Sequence, residues 1–271
     1  MKIIFFDTET TGGTEHDRLI QLAIKERPTS PPLRQGFEGR GKATKGKGNV
    51  FVHNAIYKPP VPISIESMAI HHITEKMAAE KPLFVDAPEY AELKELFEHE
   101  DTVAVAHNAA FDIAMMAREN IAPAQTICTY KVARALDPEE KLGNYRLQYL
   151  RYLLGLEVEA TAHDAFGDVL VLEAVFERLY GKMREQKTLL RQGSEGQGSE
   201  EESLREMIEI SARPMLFTTL RFGKHKGKKI EDVARTDASY VQWLLAEKKK
   251  DPASEADWIY TLEHHLAQAA R

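Results

Sequence analysis

The sequence predicts an α/β protein: a mixed β-sheet with helices packed over it, followed by a small, mainly helical second domain. Three observations carry this. Three apolar, strand-like runs open the chain, helix-like and strand-like segments then alternate, and the composition breaks near residue 184 before apolar character returns. A length of 271 residues suits one large domain with a small one beside it.

Taken in order, Lys2 to Phe6, Arg18 to Lys25 and Val50 to Ile56 read as three strands. Short connections favour an antiparallel meander, although the Gly-, Pro- and Lys-rich segment Pro28 to Gly48 lengthens the second and reads as a loop. Glu89 to Glu98 sets Tyr90, Leu93 and Phe97 on one helical face, and Thr102 to Ala106 is a fourth strand. A helix from about Ala109 to Glu119 follows, then a short strand near Ile127. Two further helices carry Leu147, Leu150 and Leu154, and Val169, Leu172, Phe176 and Leu179. A meander that passes into alternating units gives a mixed sheet. Residues 1–183 are read as the main domain and 184–210, with a net charge of −3 and the run Gly193-Ser194-Glu195-Gly196-Gln197-Gly198-Ser199, as a flexible acidic linker. Residues 211–271 recover apolar spacing and form the small basic module.

Hydrophobic residues make up 43% and charged residues 29%, and no apolar run approaches the roughly 20 residues that span a bilayer, so a membrane role is excluded. The start, Met1 to Asp7, is too short and too soon acidic for a signal peptide, and the expected location is the cytoplasm. The single cysteine, Cys128, excludes an internal disulfide and a multi-cysteine zinc site and reads as a small buried residue. The net charge of −6 conceals basic stretches: Arg27 to Asn49 carries +5, and Arg221 to Lys229 holds Arg221, Lys224, Lys226, Lys228 and Lys229 with no acid.

Chemistry concentrates in three segments. In Asp7-Thr8-Glu9-Thr10-Thr11-Gly12 two acids stand two apart where an apolar strand ends, so their side chains share the face of Ile3 and Phe5. Such a pair is costly unless a cation lies between its members, and a hard divalent ion meets that need; alone, the pair is equally a solvated strand end. His107-Asn108-Ala109-Ala110-Phe111-Asp112 follows the fourth strand and opens a helix, where Asp112 by itself is explained by the helix dipole. In His163-Asp164-Ala165-Phe166-Gly167-Asp168, residues five apart on a helix diverge by about 140°, so His163 and Asp168 converge only if His163 lies in the preceding turn, with Asp164 as N-cap.

Together, Asp-x-Glu-x-Thr-Gly, His-Asn-x-x-Phe-Asp and His-x-Ala-x-x-Asp, with Thr129 and Ala133-Arg134 between them, resemble the motifs of the DEDDh (DnaQ-like) 3′→5′ exonucleases, the family of proofreading subunits, exonuclease X and ribonuclease T. The resemblance spans roughly Met1 to Tyr180. It implies a ribonuclease H-like fold with a five-stranded mixed sheet. It also implies two divalent metal ions, Mg²⁺ or Mn²⁺, held by Asp7, Glu9, Asp112 and Asp168, and His163 as general base, a role its pKa near 6.5 suits. Thr10, Met68, His107, Asn108 and Phe111 fall where the family's nucleotide contacts lie, although Phe111 reads first as a core residue that anchors its helix and second as an aromatic that shapes the terminal-nucleotide pocket. Leu220 to Ile230 with Tyr240-Val241-Gln242-Trp243-Leu244-Leu245 resembles a small module found after exonuclease X-like domains. Its basic residues Arg221, Lys224, Lys226, Lys228 and Lys229 are candidate nucleic-acid contacts, and Trp243 is either a stacking residue or a core one.

The expected activity is metal-dependent hydrolysis of nucleic-acid 3′ ends that releases nucleoside monophosphates, on DNA in the first instance. An RNA exonuclease on the same site and a catalytically silent nucleic-acid-binding module are the alternatives. A DNA polymerase or a repair protein is the expected protein partner, with proofreading or DNA repair as the context.

Overall fold

A computed structural model describes residues 1–28, 50–160, 164–190, 200–252 and 255–270. The loop expected at Pro28 to Gly48 lies almost wholly outside them. Five strands form one sheet: β1 (Lys2–Thr10), β2 (Leu19–Glu26), β3 (Val52–Ile56), β4 (Thr102–Ala106) and β5 (Gln125–Cys128), in the order β3-β2-β1-β4-β5. β1, β2 and β3 pair antiparallel, and β4 and β5 add on parallel to β1. Seven helices accompany the sheet: α1 (Ile65–His71), α2 (Glu75–Ala78), α3 (Tyr90–Glu98), α4 (Ala110–Arg118), α5 (Thr129–Ala135), α6 (Leu147–Leu153) and α7 (Ala165–Leu190). The seven-residue α5 directly follows β5 with no breaker between them, and so has no sequence signal of its own.

β1 is central because it is apolar on both faces. Ile3 and Phe5 point into a core shared with α7, where the Phe5 and Phe176 rings meet edge to face at 5.3 Å. Ile4 and Phe6 point into a second core with α3 and α4, where Phe6 meets Phe97 at 5.0 Å. β1 is also longer than its apolar run. Asp7 pairs with Ala23 and Glu9 with Gln21, and only between Glu9 and Thr10 does the register slip. The acidic pair therefore sits within the strand, since buried Thr8 and Thr10 continue it.

The expected linker 184–210 is corrected. Residues 184–190 continue α7, and α8 (Glu200–Ala212) packs against β5 and α5; residues 191–199 lie outside the described residues. Leu204 and Met207 are buried in the same core as Phe5 and Phe176, and Ser211 Oγ accepts the Cys128 amide at 2.8 Å. Glu200, Glu201, Glu202, Glu206 and Glu209 lie away from that core, on the outer side of an amphipathic helix.

The C-terminal region is helical, as expected: α9 (Ile230–Thr236), α10 (Ala238–Lys248) and α11 (Ala256–Ala269) close over Leu220, Ile230, Val241, Leu244 and Leu262. It is docked rather than dangling. Lys131 Nζ of α5 lies 2.8 Å from Asp257 Oδ1 and donates to the Arg213 carbonyl at 3.0 Å. The Arg134 guanidinium, paired with Glu140, stands 5.2 Å from the Phe217 ring and 4.9 Å from Tyr145.

A core role for α8 predicts that Leu204→Ala lowers unfolding free energy by about 2 to 4 kcal/mol. Substitution in a solvated linker would change it by no more than about 0.5 kcal/mol. Urea unfolding of the full chain distinguishes the two.

Candidate active site

The candidate site lies where β1 outruns its parallel neighbour. Pairing with β4 stops at Phe5 and Val105, so the chain leaves β4 beside Asp7 and turns into α4 through His107 and Asn108. Asn108 makes that turn in the left-handed region, at φ 61°.

Strand alternation decides which partner each residue meets. Asp7 and Glu9 lie on the Phe5 face and look toward the first turn of α7, which carries Asp168; one carboxylate oxygen from each of the three lies within 4.8 Å of the others. Thr8 takes the opposite face and donates from Oγ1 to Asp112 Oδ1 at 2.6 Å, both groups buried. Asp112 is close enough for its charge to act on Asp7 and Glu9, but it is not one of the three acids that converge, and Thr8 holds one of its oxygens. Asp164 caps α7 as expected, accepting the Gly167 amide on Oδ2 at 3.2 Å, and its Oδ1 accepts from Gln21 Nε2 at 3.4 Å. Gln148 of α6 donates to Asp168 Oδ1. His163 lies outside the described residues.

Gathering these acids has an electrostatic consequence. Burial, then the charges of Asp112, Glu9, Asp168 and Asp164, hold the Asp7 carboxyl well above the usual carboxylate range. Burial and the charges of Asp168, Asp112 and Asp164 push Glu9 up to about 8. Burial pushes Asp112 to about 7 against the opposing hydrogen bond from Thr8. Asp7, Glu9 and Asp112 are thus held where their charged forms are disfavoured, and a cation is what would restore them. The all-oxygen donor set fits Mg²⁺ or Mn²⁺.

The remaining expected contacts divide. His107 is a wall residue: its Nε2 meets the Tyr145 carbonyl at 2.7 Å and its Nδ1 meets Thr129 Oγ1 at 2.9 Å. Burial lowers its pKa to about 4, so the ring is neutral, donating from Nε2 and accepting at Nδ1, and neither nitrogen is left for a substrate. Thr10 is buried, with its hydroxyl donating to the Gly12 carbonyl at 2.7 Å. Phe111 packs partly buried against the Ile4 and Phe6 core, in keeping with an anchoring role. Asn108 is exposed at the rim. Met68 of α1 packs beside Ile20, Ile63 and Ile73 and is half-buried. Cys128 is buried and unpaired, as its surroundings suggested.

Thr8, Gln148 and Gln21 were not singled out in the sequence. Period-2 alternation could have flagged Thr8, lying between two acids; Gln148 and Gln21 come to the site only through the packing of α6 and β2.

A cluster of carboxylates toward the C-terminal end of the central strand of a mixed sheet, one pair from that strand and the others from two helix starts, defines a site for phosphodiester hydrolysis. Residues 42–176 match the family model described as Exonuclease, and residues 220–249 match that of the exodeoxyribonuclease X-like C-terminal region. Exodeoxyribonuclease 10 of Escherichia coli (strain K12) is 32% identical over 216 residues, covering 78% of this chain and 83% of that protein. DNA polymerase III subunit epsilon of Treponema pallidum is 32% identical over 178 residues, covering 63% of this chain and 73% of the relative. Among solved structures, exonuclease X in complex with 5′ overhanging duplex DNA aligns with a TM-score of 0.51 at 26% identity, over 78% of this chain and 99% of that one. The chain belongs to the exonuclease family of which exodeoxyribonuclease 10 is a member. It is a 3′→5′ exonuclease, with the ribonuclease H-like mixed sheet that its motifs implied.

The raised carboxyl pKa values set the pH response of the metal-free protein. These groups keep protons in the folded state that the unfolded chain releases near pH 4 to 4.5, so the stability they contribute is full at low pH. It is lost as pH rises toward the folded value of about 8 for Glu9. Melting temperature in EDTA should therefore fall between about pH 5 and about pH 8 by more than about 3 °C. Added Mn²⁺ should raise it more at the higher pH, as calorimetry would show.

Proposed function

We propose that this chain removes deoxynucleotides one at a time from DNA 3′ ends, using two divalent metal ions held by Asp7, Glu9, Asp112 and Asp168. The convergence of Asp7, Glu9 and Asp168 oxygens within 4.8 Å is the observation that carries the reading. When bound, Mg²⁺ or Mn²⁺ would offset the charge that develops on the phosphate and on the leaving 3′ oxygen. The protein's own part is positional. Thr8 fixes Asp112 and Gln148 fixes Asp168, so each carboxylate presents a defined oxygen to the site. His107, tied to Thr129 and Tyr145, holds the turn from which α4 starts.

His163 is proposed to take the proton of the attacking water. It immediately precedes Asp164, the cap of α7, and its spacing from Asp168 calls for a place in the turn before that helix. Asn108 at the rim and Met68 of α1 are proposed to contact the terminal nucleotide. DNA is favoured over RNA by the match to an exodeoxyribonuclease across most of both chains. The C-terminal match to an exodeoxyribonuclease X-like region favours a free-standing enzyme of DNA repair or degradation in the cytoplasm over a polymerase-bound proofreading subunit. Among the described residues no helix is long and apolar enough to cross a membrane.

With labelled single-stranded DNA, duplex DNA and RNA compared side by side in Mg²⁺, DNA should be shortened from its 3′ end and RNA much more slowly. Asp7→Asn and Asp168→Asn, shown by circular dichroism to be folded, should keep less than about a tenth of the turnover, since a lost metal clamp removes several kcal/mol of transition-state stabilisation. His163→Ala should lower turnover by about 10² to 10⁴ and flatten the acidic limb of the pH profile while substrate binding is kept. An unchanged profile would assign the proton to another group.

A further inference from the structure

The C-terminal module is basic in sequence, but its charges are not equal in the fold. Lys224 lies 2.8 Å from Asp237, Lys248 2.6 Å from Glu255, Lys249 2.7 Å from Glu263 and Lys250 2.8 Å from Glu247; Arg235 lies 2.5 Å from Glu231. Hydrogen bonds from Lys224, His225 and Ser239 hold the Asp237 carboxyl well below its usual range, so that acid is committed to its partners. Lys226, Lys228 and Lys229 are exposed and have no acidic partner among the described residues, and Arg221 turns its guanidinium onto the Tyr145 ring at 5.3 Å. The module's uncompensated charge is therefore concentrated in one turn.

That turn is built, not loose. Leu220 donates to the Lys228 carbonyl at 2.9 Å and Gly227 returns a bond to Leu220 at 2.7 Å, while Lys226 bonds to Gly223 and Lys228 to His225, each at 3.1 Å. Gly223 adopts φ +70°, and a Cβ there would stand 2.2 Å from the Tyr240 hydroxyl oxygen, so the turn is pressed against α10 at a place only glycine fits. On the same helix, one turn after Tyr240, Trp243 is 55% exposed, with the two rings 5.7 Å apart. Tyr240 thus links the two, with the turn against it on one side and the Trp243 indole on the other, and a large indole left in water needs a reason that core packing does not supply.

The other end of the turn faces the nuclease domain. Arg221 sits on Tyr145, whose main-chain carbonyl holds His107 in the wall of the catalytic site. With Lys131 and Arg134 locking the interface, the turn is held at a fixed place on the nuclease domain.

We propose, on the basis of the exonuclease reading above, that Lys226, Lys228, Lys229 and Trp243 form a second nucleic-acid contact, which holds single-stranded DNA upstream of the 3′ end in the catalytic site. The lysines neutralise backbone phosphates and the indole stacks on a base, the combination that binds single strands with little sequence preference. Because the turn is docked, it acts as a rigid extension of the substrate path, engaged only by strands long enough to reach it.

The test measures binding of the full chain in EDTA, where cleavage is blocked, to labelled oligodeoxythymidylates of ~5 and ~30 nucleotides. The triple variant Lys226→Ala/Lys228→Ala/Lys229→Ala should bind the long strand about tenfold more weakly, with the slope of log affinity against log salt shallower by about 2. Its affinity for the short strand should stay within about twofold. Trp243→Ala should weaken long-strand binding about fivefold or more, and Trp243→Phe should restore much of it. Lys249→Ala/Lys250→Ala, which removes acid-paired lysines, should change neither. Unchanged long-strand affinity and salt slope in the triple variant would overturn the proposal, as would an equal loss on the short strand or a loss confined to duplex DNA of the same length. Cleavage of the short strand by the unmodified protein in Mg²⁺ is a separate arm: its failure would count against the exonuclease reading and leave the binding comparison intact.

Discussion

Mutual repulsion among carboxylates is the constraint on which this structure turns. Asp7, Glu9 and Asp168 present oxygens within 4.8 Å of one another where burial already disfavours charge, and Asp112 and Asp164 add their fields. No local conformational preference assembles such a group; only well-packed scaffolding can hold it. The apolar body of β1, wedged between two cores, fixes the first pair. The start of α7, clamped on β1 through Phe5 and Phe176, fixes the third acid. Supporting hydrogen bonds from Thr8 to Asp112 and from Gln148 to Asp168 finish the arrangement by fixing the orientation of both side chains.

Much of this was legible in the sequence. All five strands fall where apolar runs placed them, because a central strand buried on both faces and a meander beside it leave periodicities that need no tertiary information. Asp7, Glu9 and Asp168 were legible for a related reason: strand alternation and helix starts are local rules. What was hidden depends on contacts between distant segments. Thr8 meets Asp112 across 104 residues, and Gln148 meets Asp168 only because α6 lies along α7. His107 looked like a substrate ligand and is instead held from both sides by residues that follow β4 and β5. The acidic stretch near residue 200 misled by composition. Seven glutamates in 184–210 outweighed the helical spacing of Leu204 and Met207, the residues that decide where the segment goes.

Counting charges along a sequence and counting them on a surface gave different answers. The C-terminal region carries an excess of lysine and arginine, yet most of these cations face a carboxylate a few residues away or on the next helix. Exposed pairs of this kind add little stability and remove most of the field. A protein with a net charge of −6 can thus present a small positive surface in its C-terminal module while its total charge stays negative.

The packing of α8 over β5 has a consequence of a different kind. β5 is an outer strand of the sheet, and its outward amide at Cys128 is occupied by Ser211 of α8. An outer strand with free main-chain donors is a template for another chain, and proteins commonly blunt it with charge, a bulge or a covering element. Here the cover arrives late in the chain, after the catalytic segments are complete. Until α8 has docked, that border of the sheet is open. A helix that looked like a spacer thus serves as a guard against self-association.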